Sequence, residues 1–132
     1  MAALLLARVF VCAFFAVVML QSGLDKVFDW KGNLGWLSEH FGKTVFRGAV
    51  PLLVATITLV ELLAGLACAA GVIVLLLKGP EIVPLIGMSL VCLNLLMLIA
   101  GQRIAKDYAG AVSIASYFIV ALFGLTLMGQ HG

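Results

Sequence analysis

From Ala49 to Leu77 the chain carries one charged residue, Glu61, and no other. Three further stretches are nearly as apolar: Ala3 to Gly23, interrupted only by Arg8, and the uncharged runs Ile82 to Gly101 and Ala109 to Met128. A helix that crosses a bilayer needs roughly 20 consecutive apolar residues, and each run reaches that length. Water cannot surround such segments, and 132 residues leave no room for a soluble core large enough to bury all four. The composition agrees, with 64% hydrophobic residues, 11% charged residues and a mean hydropathy of +1.25. Backbone groups in lipid must be satisfied internally, which leaves helices or a closed barrel. The runs are continuous and lack the alternation of barrel strands. The expected fold is therefore an all-α membrane protein, a four-transmembrane-helix bundle forming a single integral membrane domain over residues 1–132.

The first run resembles a secretory signal only superficially. It is longer than a signal core, contains Arg8, and no convincing cleavage pattern follows, so it reads as a retained span. Cys12, Cys68 and Cys92 fall on three different spans with no Cys-x-x-Cys, which predicts small apolar packing residues and no redox pair. Lys26, Lys31, Lys43, Arg47, Arg103 and Lys106 would lie on one side of the membrane, against Arg8 and Lys78 on the other. The positive-inside rule then puts the two charged connections in the cytoplasm and both termini outside.

The first connection contains a short segment with its own start and stop, Asn33 and Gly42. Leu34, Leu37 and Phe41 share one helical face there, and Trp30 and Trp36 suit the headgroup region. A short interfacial helix between spans 1 and 2 is expected, as an anchor or as a lid. His40 and His131 have no second ligand at useful spacing, so no metal site is predicted. Nothing calls for a nucleic-acid partner.

Glu61 lies about 18 Å along its helix from Ala49, past the bilayer middle. An ionised carboxylate there costs at least a few kcal/mol, so it should pair, stay protonated or line a wet path. Its helical neighbours include Ala64, Gly65 and Cys68, a small-residue surface that faces another helix more readily than lipid. With alternating helices, Arg8 enters about 9 Å deep from the face that Glu61 approaches to about 12 Å, making it the first candidate partner. Asn94 and Tyr117 fall near a common depth, as interhelical glue or as a polar pocket. A further group gathers at the cytoplasmic ends: Gln21, Ser22, Asp25 and Lys26 close span 1, and Arg103, Lys106, Asp107 and Tyr108 join spans 3 and 4. These are either solvated interfacial charges, including Asp25–Arg103 or Lys26–Asp107 pairs, or a vestibule for a quinone head or a partner protein.

Arg8, Gly23-Leu-Asp-Lys26, Glu61-Leu-Leu-Ala-Gly65, and Arg103 before Asp107-Tyr108, in that order across four spans, resemble the DoxX family of small four-helix membrane proteins. The resemblance covers nearly the whole chain. It implies an accessory subunit of a respiratory, quinone-linked oxidoreductase complex in a bacterial or archaeal cytoplasmic (inner) membrane. It also implies membrane lipids and other membrane subunits, or further copies of the chain, as partners, with a quinone or lipid as ligand. With no haem-ligand pair, flavin motif or cysteine couple, catalysis by this chain alone is not expected. The competing reading is a small proton-coupled membrane transporter using Glu61, although small multidrug-resistance proteins carry their glutamate in the first helix.

Overall fold

Each apolar run becomes one helix. The computed structural model describes residues 2–32, 35, 50–104 and 106–129. In chain order the helices are α1 (Ala2–Phe28), α2 (Val50–Leu76), α3 (Ile82–Ile104) and α4 (Tyr108–Met128). All four are long and apolar enough to cross a membrane, and the protein is a multi-pass, all-α four-helix bundle. The expected interfacial helix, with Asn33, His40 and Gly42, lies outside the described residues, as does His131.

Three spans end close to where hydropathy ends them, but α1 runs five residues past Gly23 to Phe28. The apolar signal stops at the first charges. The helix does not, because Leu24, Asp25, Lys26, Val27 and Phe28 include neither proline nor a further glycine. This extension carries Lys26 onto a helical face.

The other ends are set by local chemistry. Pro51 and Pro84 occupy first turns, where a missing N–H removes no helical bond. Asp107 caps α4, its Oδ1 accepting from the Gly110 N–H at 3.1 Å. α2 and α3 end in the same two-bond closure: Gly79 N–H donates to Val74 O and Lys78 N–H to Leu75 O, as Asp107 N–H does to Gln102 O and Lys106 N–H to Arg103 O. Lys78 (φ 55°) and Lys106 (φ 61°) hold the left-handed position in these closures, where glycine is the usual occupant.

α1 packs on α2, α2 on α3 and α3 on α4 over most of their lengths, whereas α1 and α4 meet over a much shorter seam. The core is built from Cys12, Phe15, Met19, Ala64, Cys68, Met88, Val91, Leu95 and Ala121. Outward-facing Phe10, Val17, Leu52, Leu66, Leu77, Val112, Ile119 and Phe123 are exposed, an apolar belt suited to lipid tails. α2 and α3 approach closely at Gly87, where an added Cβ would lie 3.0 Å from the Cys68 backbone nitrogen. The small residues Ala67 to Gly71 are largely used inside the bundle: Gly71 packs on Pro84, and Ala67 and Cys68 on Gly87.

Candidate functional site

Ser22 and Lys26 stand one turn apart on the last turns of α1, so they share a face. That face meets α2 in a register marked by two contacts. Gly65 lies against Leu20, and Gly23 against Leu62. Glu61 is therefore level with the C-terminal turns of α1, within reach of a lysine stem. The Lys26 Nζ donates to Glu61 Oε1 at 3.0 Å, to Glu61 Oε2 at 3.3 Å and to Ser22 Oγ at 2.9 Å. Glu61 is 1% exposed, and the Lys26 side chain 16%. From α3, Asn94 Nδ2 donates to Glu61 Oε2 at 3.4 Å and to Met19 Sδ at 3.5 Å. A carboxylate in low dielectric is tolerable only when paired and hydrogen-bonded, and this one is both. Asn94 Oδ1, fully buried, has no hydrogen-bond partner among the described residues.

Beside this group lies a cavity of about 350 Å³. Its polar lining is Gln21, Ser22, Asp25, Glu61 and Tyr117, and its apolar lining is Val18, Met19, Leu95, Leu98 and Ile114. All four helices contribute. The cavity lies where α1 and α4, which meet only over a short seam, both contribute lining. At the end holding the start of α1 and the end of α4 they are tied: Arg8 Nε donates to Leu127 O at 2.8 Å, and Val11 fills the space over Gly124. Further along, the Phe14 and Tyr117 rings are 6.1 Å apart, and beyond them Val18, Gln21 and Ser22 of α1 and Ile114 of α4 line the cavity.

Arg8 is not the partner of Glu61. Continuing the α1–α2 register brings Arg8 level with Leu77, some 16 residues or about 24 Å along the axis from Glu61. Its Nη1 instead lies 3.3 Å from Oε1 of Glu81, in the turn before α3. Depth counted from a ~30 Å core misplaces both residues because neither helix ends flush with such a core. At 27 residues each, α1 and α2 are about 40 Å long, and their overhang shifts every level. Glu81 was the missed residue. It is the sole acid in the 78–81 turn, at the end where Arg8 needs a counter-charge.

Of the four intramembrane polar residues singled out from the sequence, Glu61, Asn94 and Tyr117 gather at one place, and Arg8 at the opposite end. The cytoplasmic-end group also divides. Gln21, Ser22, Asp25 and Lys26 belong to the Glu61 site. Arg103, Lys106, Asp107 and Tyr108 form the α3–α4 turn, where the Arg103 guanidinium lies 5.0 Å from the Tyr108 ring centre and Asp107 caps α4. Lys26 bonds Glu61, not Asp107. The three cysteines are free thiols, Cys12 and Cys68 buried in the core and Cys92 half-buried. Met19, Leu95 and Leu98 carried no sequence signal beyond being apolar.

Comparison with protein-family models, curated proteins and solved structures finds no match for this chain.

Proposed function

We propose that the protein is a small membrane accessory subunit of the DoxX kind, which seats the head of a membrane-dissolved amphiphile of the quinone class in the cavity between α1 and α4. The observation that carries this reading is the joining of the two linings. An apolar wall of Val18, Leu95, Leu98 and Ile114 adjoins a polar floor at Glu61, within about 350 Å³. Ligand sites of this size are mostly apolar, with a few convergent polar groups that fix orientation. The short α1–α4 seam would offer such a guest a route from the acyl-chain region. The chain would act within a larger respiratory complex, with the Lys26 end of the bundle toward the cytoplasm as the six-to-two distribution of Lys and Arg favours.

The proton-coupled transporter reading is less well supported. Exchange by a lone glutamate needs a carboxyl that readily takes up and releases its proton. Here both Glu61 carboxyl oxygens are already bonded within the protein, to Lys26 and Asn94.

Two measurements test the proposal. Native purification should recover the chain with redox subunits, and a photoreactive quinone should label residues of the cavity wall such as Leu98 or Ile114. A homodimer with proton-driven uptake activity, and no labelling at the cavity, would reject it.

A further inference from the structure

The two helices closest in length to a hydrocarbon core, α3 at 23 residues and α4 at 21, locate the middle of the bilayer. Their midpoints are Leu93 and Phe118, about 16 Å from either helix end. Asn94 and Tyr117 each stand one residue from a midpoint. Asn94 Nδ2 donates to Glu61, so the floor of the cavity lies at mid-bilayer. Gly23 packs on Leu62, which brings Gln21 and Asp25 to nearly the same level. Gln21, Asp25 and Asp29 recur four residues apart, and the Asp29 N–H still donates to Asp25 O at 3.0 Å, so the three share one face of α1. All three are exposed, and the first two line the cavity. A polar face thus runs from mid-bilayer toward the 28–32 end of the chain segment that α1 begins.

Ionisable side chains at such depth face either the bundle interior or a water-filled cavity, because hydrocarbon cannot hydrate them. Asp25 is exposed, so the second arrangement is the one that fits. Charge pairing does not remove this need, since an ion pair turned to lipid is still stripped of water. On the other side of the floor α1 is different. Val9 to Leu20 contains no charged, amide or hydroxyl side chain, and Cys12, Phe15, Met88 and Ala121 close the core there. We propose that the Gln21–Asp25–Asp29 face walls a one-sided, water-filled crevice, which brings bulk water from the 28–32 end to the Lys26–Glu61 pair. The Lys26 side chain, 16% exposed against 1% for Glu61, is the member of the pair turned toward that water. Water and protons reach the cavity floor from one face of the membrane only. The crevice is independent of the guest proposed above and is present with or without it.

The test uses the full chain in lipid nanodiscs, where both membrane faces meet solution, with Cys12, Cys68 and Cys92 replaced. Gln21→Cys, Asp25→Cys and Asp29→Cys are each reacted with a membrane-impermeant quaternary-ammonium methanethiosulfonate. Leu63, Leu93 and Ile119 are exposed at a depth close to that of Glu61, so cysteines there are the lipid-facing controls. Val17 continues the same face of α1, as far from Gly23 as Asp29 is but on the other side of the floor. Cysteines at 21, 25 and 29 should react at least about tenfold faster than those at 63, 93 and 119, because only a hydrated thiol ionises readily to the reactive thiolate. Val17→Cys should react as slowly as the controls. Equal rates at 21, 25 and the controls would overturn the inference. Fast reaction at 17 would place water on both sides of the floor and would also overturn it. Water-edited solid-state NMR of the unaltered chain in bilayers needs no substitution. Polarisation from water should build up faster at the Gln21 and Asp25 side chains than at Leu63 and Leu93, and equal build-up would reject the crevice. Fast reaction at 21 and 25 without quinone labelling of the cavity would reject the guest and support the crevice.

Discussion

Glu61 and Lys26 form a buried pair whose halves depend on each other. Removing one partner of such a pair is typically worse than removing both, because the remaining charge is left in low dielectric. Lys26→Met should therefore lower stability by roughly 3 kcal/mol, read by denaturant titration in detergent. The double variant Lys26→Met with Glu61→Met should recover part of that loss. Arg8→Met with Glu61→Met should show no such recovery, because residues far apart with no shared partner add independently. Recovery in the Arg8 double variant, and none in the Lys26 one, would refute the assignment of partners. The difference between the two cations is one of level along the bundle. Lys26 reaches inward from the end of α1, while Arg8 satisfies the Leu127 carbonyl, one of the orphan acceptors at the end of α4.

The helix ends show how an element can be well formed and still carry a correctable cost. Lys78 and Lys106 hold left-handed backbone at the closures of α2 and α3, at φ 55° and 61°. That conformation costs a residue with a Cβ about 1–2 kcal/mol, partly offset by the larger unfolded-state entropy of glycine. Lys78→Gly and Lys106→Gly should each stabilise by about 0.5–1 kcal/mol, seen as a higher melting midpoint in detergent. An unchanged or lower midpoint would argue against the closure geometry. Gly87→Ala should act in the opposite sense. Its Cβ would lie 3.0 Å from the Cys68 backbone nitrogen and 3.1 Å from the Ala67 carbonyl carbon, neither of which can swing aside. Overpacking of this kind costs about 1–3 kcal/mol. It should also disturb the α2 segment that presents Glu61.

At the scale of the whole bundle, the unequal α1–α4 seam makes a prediction about distances. In a background with Cys12, Cys68 and Cys92 replaced, cysteines at 11 and 124 should cross-link readily under mild oxidation, because Val11 fills the space over Gly124. Cysteines at 18 and 114, on opposite walls of the cavity, should cross-link poorly. Efficient bridging at both places would mean that the seam is closed along its length and that no lateral opening serves the cavity. Arg8→Met should widen the tied end, reducing the 11–124 cross-link while leaving the Lys26–Glu61 contact intact.

Four spans, their helical character and the burial of Glu61 are legible in the sequence because each depends on sums over neighbouring residues. Apolar length decides insertion, the lack of alternation decides helix over strand, and the small residues after Glu61 decide which face turns inward. The common depth of Asn94 and Tyr117 could be read in the same way, although the same rise sets Glu61 about 18 Å from the Ala49 end, nearer the face that Arg8 enters. The partner of Glu61 could not. It depends on how far α1 slides along α2, which is set by Leu20 seating on Gly65 and Leu62 on Gly23. No local sum contains that offset, and a shift of several turns exchanges Arg8 for Lys26. The cavity is likewise a tertiary outcome, because it is space left where α1 and α4 part. Its walls are ordinary leucine, valine and isoleucine until the packing of all four helices leaves that volume unfilled.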